Sequence, residues 1–429
     1  MNKIDKYLKS QKGLTMFKKL YGNSKERISA EVERYTNLCN TFVHKFNSEE
    51  YILFNNPGRT ELSGNHTDHN HGLVLAGSVN LDIIAAAKPN GSNIVKIYDI
   101  QYNEIVEINL DNTEPLNEEK EKPEALIRGI AAAFIKKGYT AKGFDAVIHS
   151  EVMSGSGLSS SAALEIMIAN IYNILFNSGR ITEIELAQAG QFAENNYFGK
   201  PCGLMDQIAC AYGGIVGIDF KDPKKPKVNQ VSFSLQEYGF SLLITETGGS
   251  HADLTNEYSS IPIEMEQIAG FYGKKVCRDI KYSRFIEDAR QIRTKFGDRA
   301  FLRVIHFIKE NERVTKQLET IRNNNIDEFL NLVNQSGTSS WKYLQNITPS
   351  GEILHQGMAV TLAVTEQFIA ETGKGAVRVH GGGFAGTILA IIPTTATEKY
   401  ISYMKTVSPD SLVRVLNIRK IGAITIPLE

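Results

Sequence analysis

Met153-Ser-Gly-Ser-Gly-Leu-Ser-Ser-Ser-Ala-Ala163 is the stretch on which the reading of this chain turns. Before it, residues 144–150 alternate apolar and polar as a half-buried strand does. After it, residues 159–176 are rich in Ala, Leu and Ile and read as an apolar helix. A glycine- and serine-rich loop at such a junction suits anions. The first turn of a helix leaves backbone N–H groups unpaired, and the helix dipole adds partial positive charge at the same end. Gly155 and Gly157 let the backbone approach a phosphate, and the serine hydroxyls can donate to oxygens or ligate Mg²⁺. The G-x-x-x-x-G-K-[ST] pattern of P-loop nucleotidases is absent from the chain. A loop of this kind, taken alone, is usually a turn with a helix cap. Its meaning depends on what surrounds it.

The surroundings are those of an ordinary globular protein. At 429 residues the chain exceeds what one core usually organises, so two domains are expected. A net charge of −1 argues against nucleic acid as a partner. No run of about 18 apolar residues occurs, so no membrane span is expected, and the Lys-rich N-terminus lacks a signal-peptide core. Cys39, Cys202, Cys210 and Cys277 are widely spaced without C-x-x-C, which points to neither a disulfide framework nor structural zinc. A cytoplasmic protein is expected. The sequence does not give the oligomeric state.

Residues 3–46 read as helix, most strongly over 25–42, where Ile28, Val32, Tyr35, Leu38, Cys39 and Phe42 recur at spacings of three and four. Residues 51–54 read as a strand entering the loop Asn55-Asn-Pro-Gly58, and 73–110 as a β-rich stretch. Helices are expected at 124–137, 280–295, 310–323 and 353–372, and strands at 241–245 and 386–392. The polar stretch Asp219-Phe-Lys-Asp-Pro-Lys-Lys-Pro226 suggests a boundary between domains at 1–224 and 225–429. Irregular alternation of strand and helix favours an α+β class, with mixed sheets packed by helices.

A second polar cluster is Pro57-Gly-Arg-Thr-Glu-Leu-Ser-Gly-Asn-His-Thr-Asp-His-Asn-His-Gly72. By ligand type His66, Asp68, His69 and His71 could hold a metal, as in a hydrolase, but no second acid-and-histidine cluster completes such a site. Short polar side chains in a tightly turned loop can equally fix the hydroxyls of a sugar.

The same loop resembles the galactokinase signature, G-R-x-N-L-I-G-E-H-T-D-Y-N-x-G. The segment Gly155–Ala162 is similar to that family's G-x-G-L-S-S-S-A phosphate loop. Arg378-Val-His-Gly-Gly-Gly-Phe-Ala-Gly386 resembles its third motif, G-G-G-F-G-G. Ala193-Glu194 and Pro201-Cys-Gly-Leu-Met-Asp-Gln207 match a further stretch in order and spacing. Together the four resemble the galactokinase branch of the GHMP small-molecule kinases from about residue 55 to the C-terminus. The resemblance implies a two-domain α+β kinase with its active site between the domains, and a helical N-terminal extension over 1–34.

It also implies roles. Asp206 faces the sugar's anomeric hydroxyl as base, with Arg59 beside it. Gly155, Ser156, Gly157, Leu158, Ser159, Ser160 and Ser161 cradle the phosphates of ATP, and Ser161 with Glu194 holds Mg²⁺. Asn65, His66, Thr67, Asp68 and Tyr258 stand at sugar-contact positions, and Gly381 to Gly383 approach the site from the second domain. Unsupported by the motifs, Asp206 and Arg59 read equally as a structural ion pair.

Departures from the family pattern are Glu61 for Asn, Asn65 for Glu, His69 for Tyr and Ala385 for Gly. The first two concern the groups that identify the sugar, so the acceptor is galactose or a relative such as galacturonate, whose carboxylate an amide tolerates better than a glutamate does. A sugar and ATP sensor without turnover is the reading from another class.

Overall fold

The computed structural model describes residues 6–7, 10–152, 157–200, 202–248, 254–409 and 411–427. Helices α1 (Gln11–Tyr21) and α2 (Lys25–Phe46) open the chain. The sequence suggests one continuous helix here. Ser10 and Ser24 instead cap two, each side chain accepting from a backbone N–H three residues on.

The first sheet has eight strands. They are β1 (Ile52–Ser63), β2 (Leu73–Pro89), β3 (Ile94–Asp99), β4 (Glu104–Asn109), β5 (Phe144–Ser150), β6 (Ile215–Asp219), β7 (Lys227–Val231) and β12 (Ile424–Ile426). Their main order is β12-β1-β2-β5-β3-β4, and β6 pairs the first part of β2 and carries β7 beyond it. Only β3 and β5 among these pairs run parallel.

Strand β1 runs through Asn55-Asn-Pro-Gly58, which the sequence reads as a loop. Its register with β2 shifts between Pro57 and Arg59 and again between Glu61 and Ser63. Irregularities of this kind admit proline and glycine in a strand and re-aim the neighbouring side chains. The stretch 220–226 is the turn of the β6–β7 hairpin, and the chain crosses to the second sheet only after Val231.

Period-two alternation gives the first sheet two apolar faces. Leu53, Ile84, Ala86 and Val147 meet α1 and α2. Ala85, Ala87, Ala146 and Ile148 meet α3 (Pro123–Lys136), α4 (Ser160–Asn177), α5 (Glu183–Ala193) and α6 (Met205–Tyr212). Helix α4 is apolar on nearly every side and is buried accordingly.

The second sheet, β11-β8-β10-β9, is antiparallel and comprises β8 (Phe240–Glu246), β9 (Ala376–His380), β10 (Thr387–Pro393) and β11 (Val413–Leu416). Around it lie α7 (Thr255–Phe271), α8 (Tyr282–Glu287), α9 (Ala289–Phe296), α10 (Asp298–Arg322), α11 (Ile326–Ser339), α12 (Gly357–Thr372) and α13 (Thr397–Val407). The helix expected over 280–295 is thus two short ones, and that expected over 310–323 begins twelve residues earlier, at Asp298. Ile215 and Val216 of the first sheet share one apolar cluster with Leu242, Ile244 and Leu389 of the second, so the two layers meet across a continuous core. No helix among the described residues is long and apolar enough to cross a membrane.

Candidate active site

Between the layers lies a cleft of about 1310 Å³. Arg59 enters it from the irregular part of β1. Its Nε donates to Asp206 Oδ1 and its Nη2 to Asp206 Oδ2, both at 2.7 Å, while Nη1 donates to the carbonyl of Gly157. Asp206 stands in the first turn of α6 and also accepts from the hydroxyl of Ser159. Burial alone would push its carboxyl up. The charge and hydrogen bonds of Arg59, with the Ser159 hydroxyl, outweigh burial and hold it below the usual carboxylate value.

Gly157 to Ser161 bring the glycine-serine stretch to this pair, whereas Gly155 and Ser156 lie outside the described residues. Gly157 has φ of +73°, and a Cβ there would be strained and would crowd Thr387 Oγ1 and His380 Nδ1 of the second sheet, so the position favours glycine. Leu158 is buried beneath the loop. Ser160 and Ser161 open α4 and line the cleft.

Ser161 Oγ donates to Glu194 Oε1 at 3.1 Å. Glu194 begins a π-turn at the end of α5, a local widening common at functional sites. Gln207 Nε2 donates to Glu194 Oε2 at 3.1 Å and to Glu165 Oε2 at 2.9 Å. Burial, with Glu194 nearby, pushes the Glu165 carboxyl well up. The hydroxyl and carboxylate of Ser161 and Glu194 present hard oxygens side by side, a donor set that fits Mg²⁺. Among the described residues no group of three or more His, Cys, Asp and Glu could hold a metal ion. That includes the histidine-rich loop. His66 Nε2 meets the Gly382 carbonyl at 2.8 Å instead.

That loop is braced from the second layer. Glu310 Oε1 of α10 accepts from Gly64 N at 2.9 Å and Ser63 Oγ at 2.8 Å, and His306 Nε2 meets the Asn65 carbonyl at 2.9 Å. Thr67 is buried and donates to the Gly64 and Leu73 carbonyls, closing the loop on itself rather than lining the cleft. Asp68 and Tyr258 do line it, and the Tyr258 hydroxyl donates to the Gly383 carbonyl at 3.0 Å. Burial first, then His69, lowers His66 to about 3, so its ring is neutral near pH 7.

Glu61 and Asn65 meet. Asn65 Nδ2 donates to Glu61 Oε1 at 3.0 Å and to the Gly381 carbonyl at 2.7 Å, and Asn65 Oδ1 accepts from Asn346 Nδ2 at 2.7 Å. Glu61 Oε1 also accepts from Arg378 Nη2 at 2.7 Å, in a pair whose side chains are 4% and 0% exposed. Both residues line the cleft; the Asn65 amide is committed within the protein, while the side-chain hydrogen bonds of Glu61 are gathered on Oε1.

Sequence reasoning assigned nothing to Arg378, His380, Gln207 or Asn346. Arg378 and His380 lie inside the third motif, just ahead of its glycines. His380 Nε2 meets the Glu61 N–H at 3.2 Å and Nδ1 meets Thr387 Oγ1 at 3.0 Å, joining the two sheets at the cleft floor. An apolar sector of the cleft, with Ile83, Ile97, Leu126, Ile127 and Phe198, has no sequence signature, because its residues are scattered along the chain and look like ordinary core.

Residues 125–214 match the GHMP kinases N terminal domain, and residues 40–89 match the galactokinase galactose-binding signature. A galactokinase from Glaesserella parasuis serovar 5 is 31% identical over 346 residues, 80% of this chain and 85% of that protein. One from Clostridium perfringens strain 13 is 29% identical over 377 residues, 85% and 91% of the two chains. The crystal structure of Lactococcus lactis galactokinase complexed with galactose matches with a TM-score of 0.79 at 24% identity, covering 92% of this chain and 100% of that one. The Methanococcus jannaschii mevalonate kinase matches with a TM-score of 0.58 at 15% identity, over 86% of this chain and 98% of its own, which marks the wider fold.

Proposed function

The chain belongs to the galactokinase family of GHMP kinases, and on that premise we propose that it transfers the γ-phosphate of ATP to the anomeric hydroxyl of galactose, releasing galactose 1-phosphate and ADP. The observation that carries this reading is the Arg59–Asp206 pair, held between the glycine-serine loop and the polar loop of β1.

An alcohol is a weak nucleophile, and a carboxylate kept ionised beside it can take its proton as the bond to phosphorus forms. Asp206 is that carboxylate. Arg59 keeps it ionised and offsets charge on the phosphoryl group in transfer. Gly157 to Ser161, at the start of α4, offer backbone N–H groups and hydroxyls to the phosphates. Ser161 and Glu194 are suited to hold a Mg²⁺ ion, which would neutralise charge on the nucleotide phosphates. The apolar sector suits the adenine ring. Asp68, His66 and Tyr258 line the part assigned to the sugar, and Asn65 acts there by holding Glu61.

Galactose is favoured over galacturonate by the state of Glu61 and Asn65. Both residues line the cleft, but the Asn65 amide donates to Glu61 and Gly381, which leaves the Glu61 carboxylate to accept from a sugar hydroxyl and repel a uronate. The four cysteines carry free thiols, in keeping with a reducing cytoplasm, and the net charge of −1 speaks against nucleic acid as partner. Sugar-dependent ADP release, measured across galactose, glucose, N-acetylgalactosamine, arabinose and galacturonate, tests the assignment. Galactose should give the highest kcat/KM. A higher value for galacturonate, or no acceptor at all, would overturn it.

A further inference from the structure

The N-terminal helices take no part in the chemistry above, yet the first three turns of α2 carry a ladder of charge aimed at it. Arg27, Glu31 and Arg34 stand at spacings of four and three and so share one helix face. Arg27 grips Glu151 with both terminal nitrogens, Nη1 to Oε1 at 3.1 Å and Nη2 to Oε2, and also pairs with Glu31 at 2.6 Å. Arg34 donates from Nη1 to Asp82 Oδ1 at 2.7 Å and from Nε to His149 Nδ1 at 2.8 Å. Its Nη2 reaches the carbonyls of Asp82 and His149, each at 3.0 Å.

These contacts fall on one side of an alternating segment. Val147 packs with α2, and His149 and Glu151 bond to it, while Ile148, Ser150 and Val152 line the cleft on the other face. The Glu151 N–H donates to the Asp82 carbonyl at 2.9 Å, so both arginines converge on one anchor. Val152 is then pressed against Gly58. A Cβ on Gly58 would lie 3.1 Å from Val152 Cγ2 and 3.3 Å from the Leu158 carbonyl, and the next N–H, that of Arg59, donates to that same carbonyl at 3.3 Å. One residue therefore separates the Arg27–Glu151 fork from the packing that seats Arg59.

We propose that α2 is a positioning element for phosphoryl transfer: Arg27 and Arg34 fix Glu151 and His149, which set Val152 against Gly58 and thereby the aim of Arg59 at Asp206. Neither arginine touches a ligand in this account. A partly exposed ion pair alone contributes little, but a two-nitrogen fork fixes direction as well as distance. Displacing a reacting group by about 1 Å can cost ~10²-fold in rate.

The inference rests on the roles given above to Arg59 and Asp206, and its test separates the two. Arg27→Ala, Arg27→Lys and Glu151→Gln are made in the full chain, at side chains that are each 26% exposed, and the melting temperature of each is measured beside its kinetics. With galactose and ATP, Arg27→Ala and Glu151→Gln should lower kcat by about 10- to 100-fold. The KM for galactose should stay within about 2-fold, since the sugar loop is braced from α10 instead. Arg27→Lys should recover part of the loss. The double variant Arg27→Ala with Glu151→Gln should be no worse than the poorer single one. Affinity for Mg²⁺ and a non-hydrolysable ATP analogue, which needs no sugar, should fall by about 3-fold or more in the same variants. Variants that melt earlier but keep parental kcat and analogue affinity would reduce α2 to a stabilising element and overturn the proposal. A parent inactive on galactose whose variants still lose analogue affinity would contradict the galactose reading alone.

Discussion

Arg59 holds both carboxylate oxygens of Asp206 at 2.7 Å, a parallel two-bond fork that fixes the direction of the carboxylate as well as its charge. The two residues are 147 positions apart in the chain and meet only because the irregular part of β1 turns Arg59 toward the first turn of α6. Asp206→Asn keeps the shape and removes the proton acceptor. It should fold normally, bind galactose and lose kcat by ~10²–10⁴-fold, as loss of a general base does. Isothermal titration with galactose alongside steady-state rates checks both halves. A variant keeping most of its kcat would mean that Asp206 is not the base.

Ser161→Ala and Glu194→Gln each take one hard oxygen from the pair suited to the metal–nucleotide complex. Each should raise the Mg²⁺ concentration for half-maximal rate and leave the KM for galactose near the parental value. A rise confined to the galactose KM would mean that these two residues serve the sugar.

Glu61 and Arg378 form an ion pair with side chains 4% and 0% exposed, so removing one partner strands the other. Glu61→Gln should cost about 3–5 kcal/mol of stability, and adding Arg378→Met should recover most of it. Urea unfolding of the single and double variants measures this. Glu61→Asn alone should likewise harm galactose turnover, and Glu61→Asn with Asn65→Glu, which restores the family arrangement, should largely regain it. Parental behaviour in every variant would exclude both residues from sugar recognition.

His66 supplies a pH dependence whose sign can be worked out. Burial lowers it from 6.5 to about 3 in the folded chain. As pH falls below 6.5 the unfolded chain takes up a proton that the folded one refuses, so the stability linked to His66 is complete above 6.5 and is lost progressively toward 3. Carboxyls raised by burial, Glu31 and Glu165 among them, act in the opposite direction over part of that window, so the comparison must be with a variant. The melting temperature of His66→Gln should gain on that of the parent between pH 7.5 and pH 5. A constant difference would place a charged His66 in the folded state.

Much of this was legible in the sequence, for physical reasons. The glycine-serine stretch announces itself because close approach to phosphate needs glycine and hydroxyl in a short space, and the apolar face of α2 shows in spacings of three and four. What stayed hidden depended on tertiary contacts. Pro57 and Gly58 read as a turn, yet pairing with β2 carries the strand through them. The turn at 220–226 looks like a linker by composition and is a hairpin. Arg378 looks like an ordinary strand residue until Glu61, 317 positions away, is seen to be its partner. Long-range ion pairs leave no local pattern.

The most direct test of the account is the identity of the product. With wild-type protein, MgATP and galactose, phosphorus NMR should show one new phosphate ester bonded to the anomeric oxygen, formed in step with ADP, and Asp206→Asn should form it at least ~100-fold more slowly. Phosphate on another hydroxyl, or ADP released with inorganic phosphate and no sugar ester, would contradict the claim that Asp206 and Arg59 face the anomeric hydroxyl of galactose.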